Sequence, residues 1–474
     1  MVPADFISLL PLIILAVAPL FILLTIAVVR NHMVIYGFTL LGFIAAFLSI
    51  YFVLPLAPHE ISGLFIIDRY SQLFLSIIIL ASLVITVLSY HYLKLHNGEN
   101  EEFYVVLFVA ALGAGILTIS NHFASFFLGI ELLSISAYIL IAYLRSRDYS
   151  VEASIKYLLL ASVSSAFMLF GMALIYAATG TMNFSGLAGN FLIPATVSPL
   201  LMLGLAMIIV SLGFKLALVP FHMWTPDVYQ GAPVPVTAFI ATVSKGAVMA
   251  LIIRLFSMIG GAQNTIIIIV ITVIAVLSMV IGNILAIKQR NLKRLLAYSS
   301  IAHLGYLAII LLIGTNTGIQ AAAFYLISYF VTSLAAFAVI SLLSACEHDM
   351  DDIENYKGLF WKKPWIAAIM TLALLSLAGI PLTAGFIAKF FVVLQGVHHG
   401  LWIVVFSLVI NSAIGLYYYI KVIAKMFSPA DNIALPVVPR IGYFMLSVLG
   451  LCILWLGLFP GWISDILARF AFLP

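Results

Sequence analysis

The chain has 474 residues, of which 65% are hydrophobic and only 8% are charged, with a formal net charge of +4 and a mean hydropathy of +1.24. Soluble domains keep apolar residues near half of the chain, so this composition excludes a soluble globular protein. The small positive charge is a topology bias rather than a nucleic-acid footprint, and no nucleic-acid partner is expected.

Apolar runs of about 20 residues, enough to cross roughly 30 Å of hydrocarbon, recur from end to end. The alternation over about ten residues that marks membrane strands is missing. Taken in order, the runs predict an all-α polytopic membrane protein of about 14 transmembrane helices, centred near residues 17, 44, 82, 111, 133, 165, 214, 245, 275, 302, 331, 380, 413 and 452. The start, Met1 to Val29, lacks the basic n-region of a signal peptide and reads as an uncleaved first helix. The longest polar stretch, Glu347 to Lys363, is too short for a core of its own, so residues 1–474 are expected to form one integral membrane domain.

Basic residues set the orientation. With the N-terminus outside, the odd-to-even connections carry Arg30, Lys94, Arg145, Arg147, Lys288, Arg290, Lys293, Arg294, Lys357, Lys362, Lys363, Lys421, Lys425 and Arg440, against Arg69, Arg254 and Arg469 on the other side. The positive-inside rule then puts both ends outside. The four basic residues left over, Lys156, Lys215, Lys245 and Lys389, fall within apolar runs, with Glu131 as the matching buried acid. A lysine at mid-membrane costs roughly 2.5 to 3.5 kcal/mol to insert, which marks such groups as functional candidates and points to proton movement.

Along the chain, Glu131 lies in FFLGIELLSISAYIL beside Ser134, Ser136 and Tyr138. It reads either as a protonated structural acid or as the partner of Lys215, since an unpaired buried charge is expensive. Glu152 and Lys156 are spaced i, i+4, the orientation that favours a helical ion pair, and both a structural pair and a proton-path role are open. From Ser211 to Lys245, Pro220, Pro226, Pro233 and Pro235 interrupt a helical pattern, predicting a broken helix with His222 at the break. Freed backbone groups at membrane depth need protein or a water-filled cavity to satisfy them, which argues for a hydrated interior. Helix arithmetic from a turn near Gln230 to Val234 puts Lys215 and Lys245 side by side near the midplane. His303, near Ser299, Ser300 and Tyr306, is either a proton relay or a packing histidine. In LSLAGIPLTAGFIAKF, Gly379, Pro381 and Gly385 predict a second broken helix just before Lys389. Paired breaks point to inverted repeats. One is taken as helices four to eight, about 103–257, and the other as helices nine to thirteen, about 264–427, with helices one to three about 1–95 and helix fourteen about 440–470.

Cofactor chemistry has no foothold in the motifs. Cys346 and Cys452 stand alone, read as free structural thiols, and are too few for an iron-sulfur cluster, which needs about four thiolates. Neither a GxGxxG fingerprint nor a P-loop is present.

The runs GFKLALVPFHMWTPDVYQGAPVPV, LKRLLAYSSIAHLGYL and LLSLAGIPLTAGFIAKF resemble the antiporter-like subunits of proton-pumping NADH-quinone oxidoreductase, respiratory complex I, over nearly the whole chain. The VYQGAP continuation is similar to subunit N rather than to subunits L and M or the Mrp-type antiporters. The resemblance implies fourteen helices in two inverted five-helix repeats, broken seventh and twelfth helices, and a hydrated line of charges across the membrane centre. It places the family's fifth-helix glutamate at Glu131 and its lysines at Lys215, Lys245 and Lys389, with His303, His222, Glu152 and Lys156 secondary. It further implies a bacterial cytoplasmic membrane, neighbouring antiporter-like subunits and lipid as partners, no cofactor in this chain, and NADH, FMN, iron-sulfur clusters and quinone in partner subunits. An Mrp-like sodium/proton antiporter subunit is the alternative; sodium needs several oxygen ligands, and Glu131 is the one clearly central carboxylate.

Overall fold

Thirteen helices among the described residues are long and apolar enough to cross a membrane, from Leu10–Val28 to Arg440–Leu458, and two shorter apolar helices, Pro364–Ala378 and Ala384–His398, lie between them in sequence. These come from a computed structural model that describes residues 3–96, 100–145, 147–187, 198–345, 349–429 and 436–470. The strands among them are His59–Ile61 and Phe65–Ile67, an antiparallel hairpin. The architecture is therefore all-α and polytopic.

Burial grades across the bundle. The span Val234–Met258 is wholly buried and Leu292–Leu312 nearly so, whereas Leu10–Val28 exposes most of its surface. In lipid, an apolar side chain gains little from leaving the solvent, so close backbone approach drives helix association instead. Gly171 and Gly204 show this: a Cβ on either would sit 2.7 to 2.8 Å from the other's carbonyl oxygen, drawing Asp148–Thr179 against Pro199–Leu216.

Both anticipated interruptions are present and share one local form. Pro199–Leu216 ends in left-handed Ala217 (φ 59), with Ala217 N–H bonded to Phe214 O and Leu218 N–H to Gly213 O. Pro364–Ala378 ends in left-handed Gly379 (φ 86), with its N–H on Ser376 O and Ile380 N–H on Leu375 O. This pairing closes a helix C-terminus by satisfying its last carbonyls. Helix resumes at Trp224–Gly231 and at Ala384–His398. Pro226, Pro233 and Pro235 sit in or just before first turns, where a missing N–H costs nothing; Pro220 falls inside the break.

Protein groups satisfy several of the freed backbone atoms. Val219 N–H bonds Ser278 Oγ at 3.0 Å, Trp224 Nε1 donates to Phe214 O at 2.9 Å, and Gly385 N–H bonds Ser376 Oγ at 3.0 Å. Val234–Met258 carries a further irregularity, a π-helical segment over Ile240–Ser244 that ends directly before Lys245.

Two residues expected in connections are instead interior. Arg254 is fully buried and forms a bidentate pair with Asp68, at 2.8 and 2.9 Å, with Thr118 O also accepting from it at 3.2 Å. Lys293, also fully buried, donates to Ala232 O at 2.7 Å and to Asp349 at 2.9 Å. Asp349 in turn accepts from Arg147 at 3.0 Å and from the Tyr92 hydroxyl at 2.7 Å. Burial pushes the Asp349 carboxyl up, but Lys293 and then Arg147 overcome that and hold it at about 2. The helix bearing Lys245 is thus pinned near both ends, through Ala232 at one and Arg254 at the other. Cys452 is a free, half-buried thiol; Cys346 and Glu347 lie outside the described residues.

Candidate functional site

Lys215 occupies the last turn of Pro199–Leu216, where the carbonyl end of a helix favours positive charge. Its Nζ donates to Ser134 Oγ at 2.6 Å, and the rings of Phe214 and Tyr157 lie 5.8 and 6.0 Å away. Ser134 spends its own proton on Ile130 O at 2.6 Å, which fixes its oxygen as an acceptor. Glu131, one turn earlier on Phe123–Ile141, accepts from Ser165 Oγ at 2.5 Å. It is half-buried rather than enclosed, and among the described residues it makes no ion pair with Lys215.

Lys245 is enclosed almost completely. Its Nζ donates to Ser300 Oγ at 2.7 Å and lies 5.1 Å from the Tyr229 ring. The Tyr329 hydroxyl reaches the same Ser300 oxygen at 2.7 Å, and that of Tyr229 reaches it at 3.4 Å. One turn on, His303 pairs through Nδ1 with the Tyr325 hydroxyl at 2.6 Å and through Nε2 with that of Tyr419 at 3.5 Å. Tyr419 also bonds Ser299.

Lys389 has three acceptors for its three ammonium protons: Leu377 O and Ala378 O at 2.9 Å each, and Ser412 Oγ at 2.8 Å. Those carbonyls are the free end of Pro364–Ala378, so the second break builds a cation site from its own backbone. Ser412, like Ser134, donates to a backbone carbonyl, that of Ala378 at 3.1 Å. The Tyr306 ring stands 5.2 Å away. Beside it opens a cleft of about 310 Å³ lined by Gly379, Phe386, Phe390 and Ser412 among others.

The remaining candidates lie apart. Lys156 is exposed on the chain's surface and binds Glu152 at 2.8 Å and Asp227 at 3.0 Å; Asp227 also holds Arg294. His222 is buried in the first break, and among the described residues its Nδ1 has no hydrogen-bond partner. Lys215 and Lys245 each have their own serine and their own tyrosine wall, Tyr157 and Tyr229. Sequence reading named none of these tyrosines, and no signal in helices so rich in aromatics would have singled them out.

These features define a class: an all-α membrane protein whose interior carries amines, an imidazole and hydroxyls joined by short hydrogen bonds. Residues 120–415 match the family described as NADH:quinone oxidoreductase/Mrp antiporter, TM. A chain of respiratory complex I from Thermus thermophilus, solved with bound aureothin, is 34% identical, with 97% of this chain and 100% of that one covered and a TM-score of 0.84. Two further structures share the fold: a chain of the archaeal membrane-bound sulfane sulfur reductase (24% identity, 99% and 96% coverage, TM-score 0.85) and one of the Mrp complex from Dietzia sp. DQ12-45-1b (20%, 99% and 97%, 0.86). The protein belongs to the NADH:quinone oxidoreductase/Mrp antiporter family.

Proposed function

We propose that the protein is a proton-translocating membrane-arm subunit of an NADH:quinone oxidoreductase, of the subunit N type, working beside other antiporter-like subunits in a bacterial cytoplasmic membrane with both termini outside. The observation that carries this reading is the set of three buried lysines, each donating to a serine of another helix, in a chain 34% identical over its length to a complex I chain. NADH, FMN, iron-sulfur clusters and quinone belong, in this reading, to partner subunits, and the oxidoreductase activity belongs to the assembly. The share of this chain is to move protons in response.

Desolvation disfavours a charged lysine, and a neighbouring carboxylate favours it. Charged Glu131 therefore holds a proton on Lys215. When Glu131 is neutralised or moves, Lys215 releases its proton past Tyr157 and Tyr229 towards Lys245, then His303, then Lys389, which exchanges with the outer side. The test is proton translocation per electron in sealed vesicles. Glu131→Ala and Lys215→Ala should lower it, and full pumping by both would overturn the reading.

The sodium/proton alternative shares the family. Sodium requires a shell of oxygens; half-buried Glu131 already accepts from Ser165, and buried Asp68 has both oxygens committed to Arg254. Sodium-dependent transport by the assembled complex, with no proton movement in sodium-free medium, would favour the alternative.

A further inference from the structure

The three serines that receive the lysine ammonium groups are not equivalent. Ser134 and Ser412 each donate their own proton to a backbone carbonyl and are thereby locked as acceptors. Ser300 is different: every partner it has among the described residues is a side chain, namely Lys245, Tyr329 and Tyr229. A hydroxyl has one proton and two lone pairs. Lys245, Tyr329 and Tyr229 all stand as donors to an oxygen with two lone pairs, so one tyrosine hydroxyl must turn and accept the Ser300 proton instead. Among the described residues no backbone atom holds that proton.

Beyond Tyr329 lies a second unusual feature. A small cavity of about 10 Å³ is lined by His303, Tyr325, Ser328 and Tyr329, among others. Among the described residues Ser328 Oγ has no hydrogen-bond partner, although Ser328 is 1% exposed. A polar cavity of this size admits about one water, and an orphaned buried hydroxyl is the kind of group such a water satisfies.

We propose that Ser300 and Tyr329, with one water seated against Ser328, form the proton junction between Lys245 and His303. The inference rests on the proton-translocating reading above. The step balances as a concerted hop once the Tyr329 hydroxyl has turned its proton from Ser300 to the water and Ser300 has turned its own towards the Tyr329 oxygen: Lys245 then loses a proton to Ser300 Oγ and Ser300 passes its own to the Tyr329 oxygen. Tyr329 passes its proton to the water, and the water gives one to whichever nitrogen of neutral His303 is free to accept. One proton leaves the ammonium and one arrives on the imidazole. Neutral Lys245 can then accept from Ser300, so the reset runs by rotation of the same hydroxyls.

The experiment compares Ser300→Ala, Tyr329→Phe, Ser300→Thr and Lys245→Leu in the whole complex, reconstituted in proteoliposomes. Proton translocation and its solvent deuterium isotope effect are followed alongside electron transfer from NADH to an artificial acceptor. Ser300→Ala and Tyr329→Phe should each slow translocation at least about tenfold, as expected for loss of a positioned proton-transfer group. Both should raise the isotope effect and leave artificial-acceptor reduction unchanged. Because the two hydroxyls act in series, the double variant should be no slower than either single one, and Ser300→Thr should restore both rate and isotope effect. If Lys245→Leu stops translocation while Ser300→Ala and Tyr329→Phe do not, the junction is overturned and the broader reading stands. If Lys245→Leu translocates normally, the broader reading itself fails. Should Ser300→Ala not assemble, Tyr329→Phe, which removes one oxygen and keeps the ring, decides the outcome alone.

Discussion

Replacing Asp349 by Asn probes the clamp at the start of the helix that bears Lys245. The substitution keeps the shape but removes the charge facing Lys293, whose side chain is 0% exposed against 7% for Asp349. Removing one partner of a buried pair costs about 3 to 5 kcal/mol, because the other charge is left uncompensated. Asn retains an oxygen for Lys293, and Ala232 O still accepts from the ammonium, which favours the lower figure. About 3 kcal/mol corresponds to roughly a hundredfold more frequent local opening, at 1.4 kcal/mol per factor of ten. The assay is hydrogen exchange over the start of Val234–Met258 in the native complex held in lipid nanodiscs. Adding Lys293→Met to Asp349→Asn removes the stranded ammonium but also its bond to Ala232 O, and it leaves Arg147 facing Asn, so part of the protection should return. Unchanged exchange in the single variant, or no recovery in the double one, would refute the assignment. The pH dependence carries its own sign. A carboxyl held at about 2, below its ordinary value near 3.8, stabilises fully above that ordinary value and loses its contribution as pH falls through about 2. Acid exposure should open this region in the wild type with a step that Asp349→Asn lacks.

Three further outcomes follow from the geometry. Lys156→Ala, at a surface group shared between Glu152 and Asp227, should retain most proton translocation in vesicles that lose it with Lys215→Ala; equal losses would place Lys156 on the path. Gly385→Ala puts a Cβ 1.8 Å from Ser376 O, a backbone atom that cannot yield cheaply, so assembled complex on native gels should fall sharply, and normal levels would contradict the close approach at the second break. Arg254→Leu should destabilise the complex in thermal inactivation by more than the pair Arg254→Leu with Asp68→Leu, since the single change strands a buried carboxylate.

Lys215, Lys245 and Lys389 were legible in the sequence because a charge in an apolar run has no cheap structural explanation, and the breaks were legible because proline and glycine act on the backbone locally. Depth was less so. The arithmetic for Lys215 assumed continuous helix up to the turn, whereas residues 217–223 are not helical and the lysine ends its half-helix. Arg254 and Lys293 were placed in connections because charge counting sees proximity to a helix end and not a partner; Asp68 is 186 residues from Arg254. Glu131 was expected to be enclosed, but one face of its helix lies at the chain's surface. Ser134 and Ser300 stood out beside Glu131 and His303 but not as partners of the lysines, and Ser412 did not stand out at all, since a hydroxyl gains its role from the helix packed opposite it.

The π segment over Ile240–Ser244 makes the distance from Pro235 to Lys245 a molecular ruler. A π turn takes in one more residue than the α turn it replaces. Removing a single residue from this stretch would let it relax to α-helix with its two flanks still in phase, whereas removing one elsewhere between Ala232 and Arg254 would swing one side by about 100° relative to the other. Ala232 and Arg254 are anchored, so that swing cannot be spread over the ends, and the ammonium of Lys245 would turn away from Ser300. In aligning homologues of this chain, a one-residue gap is therefore absorbed within these few positions and not in the rest of the helix.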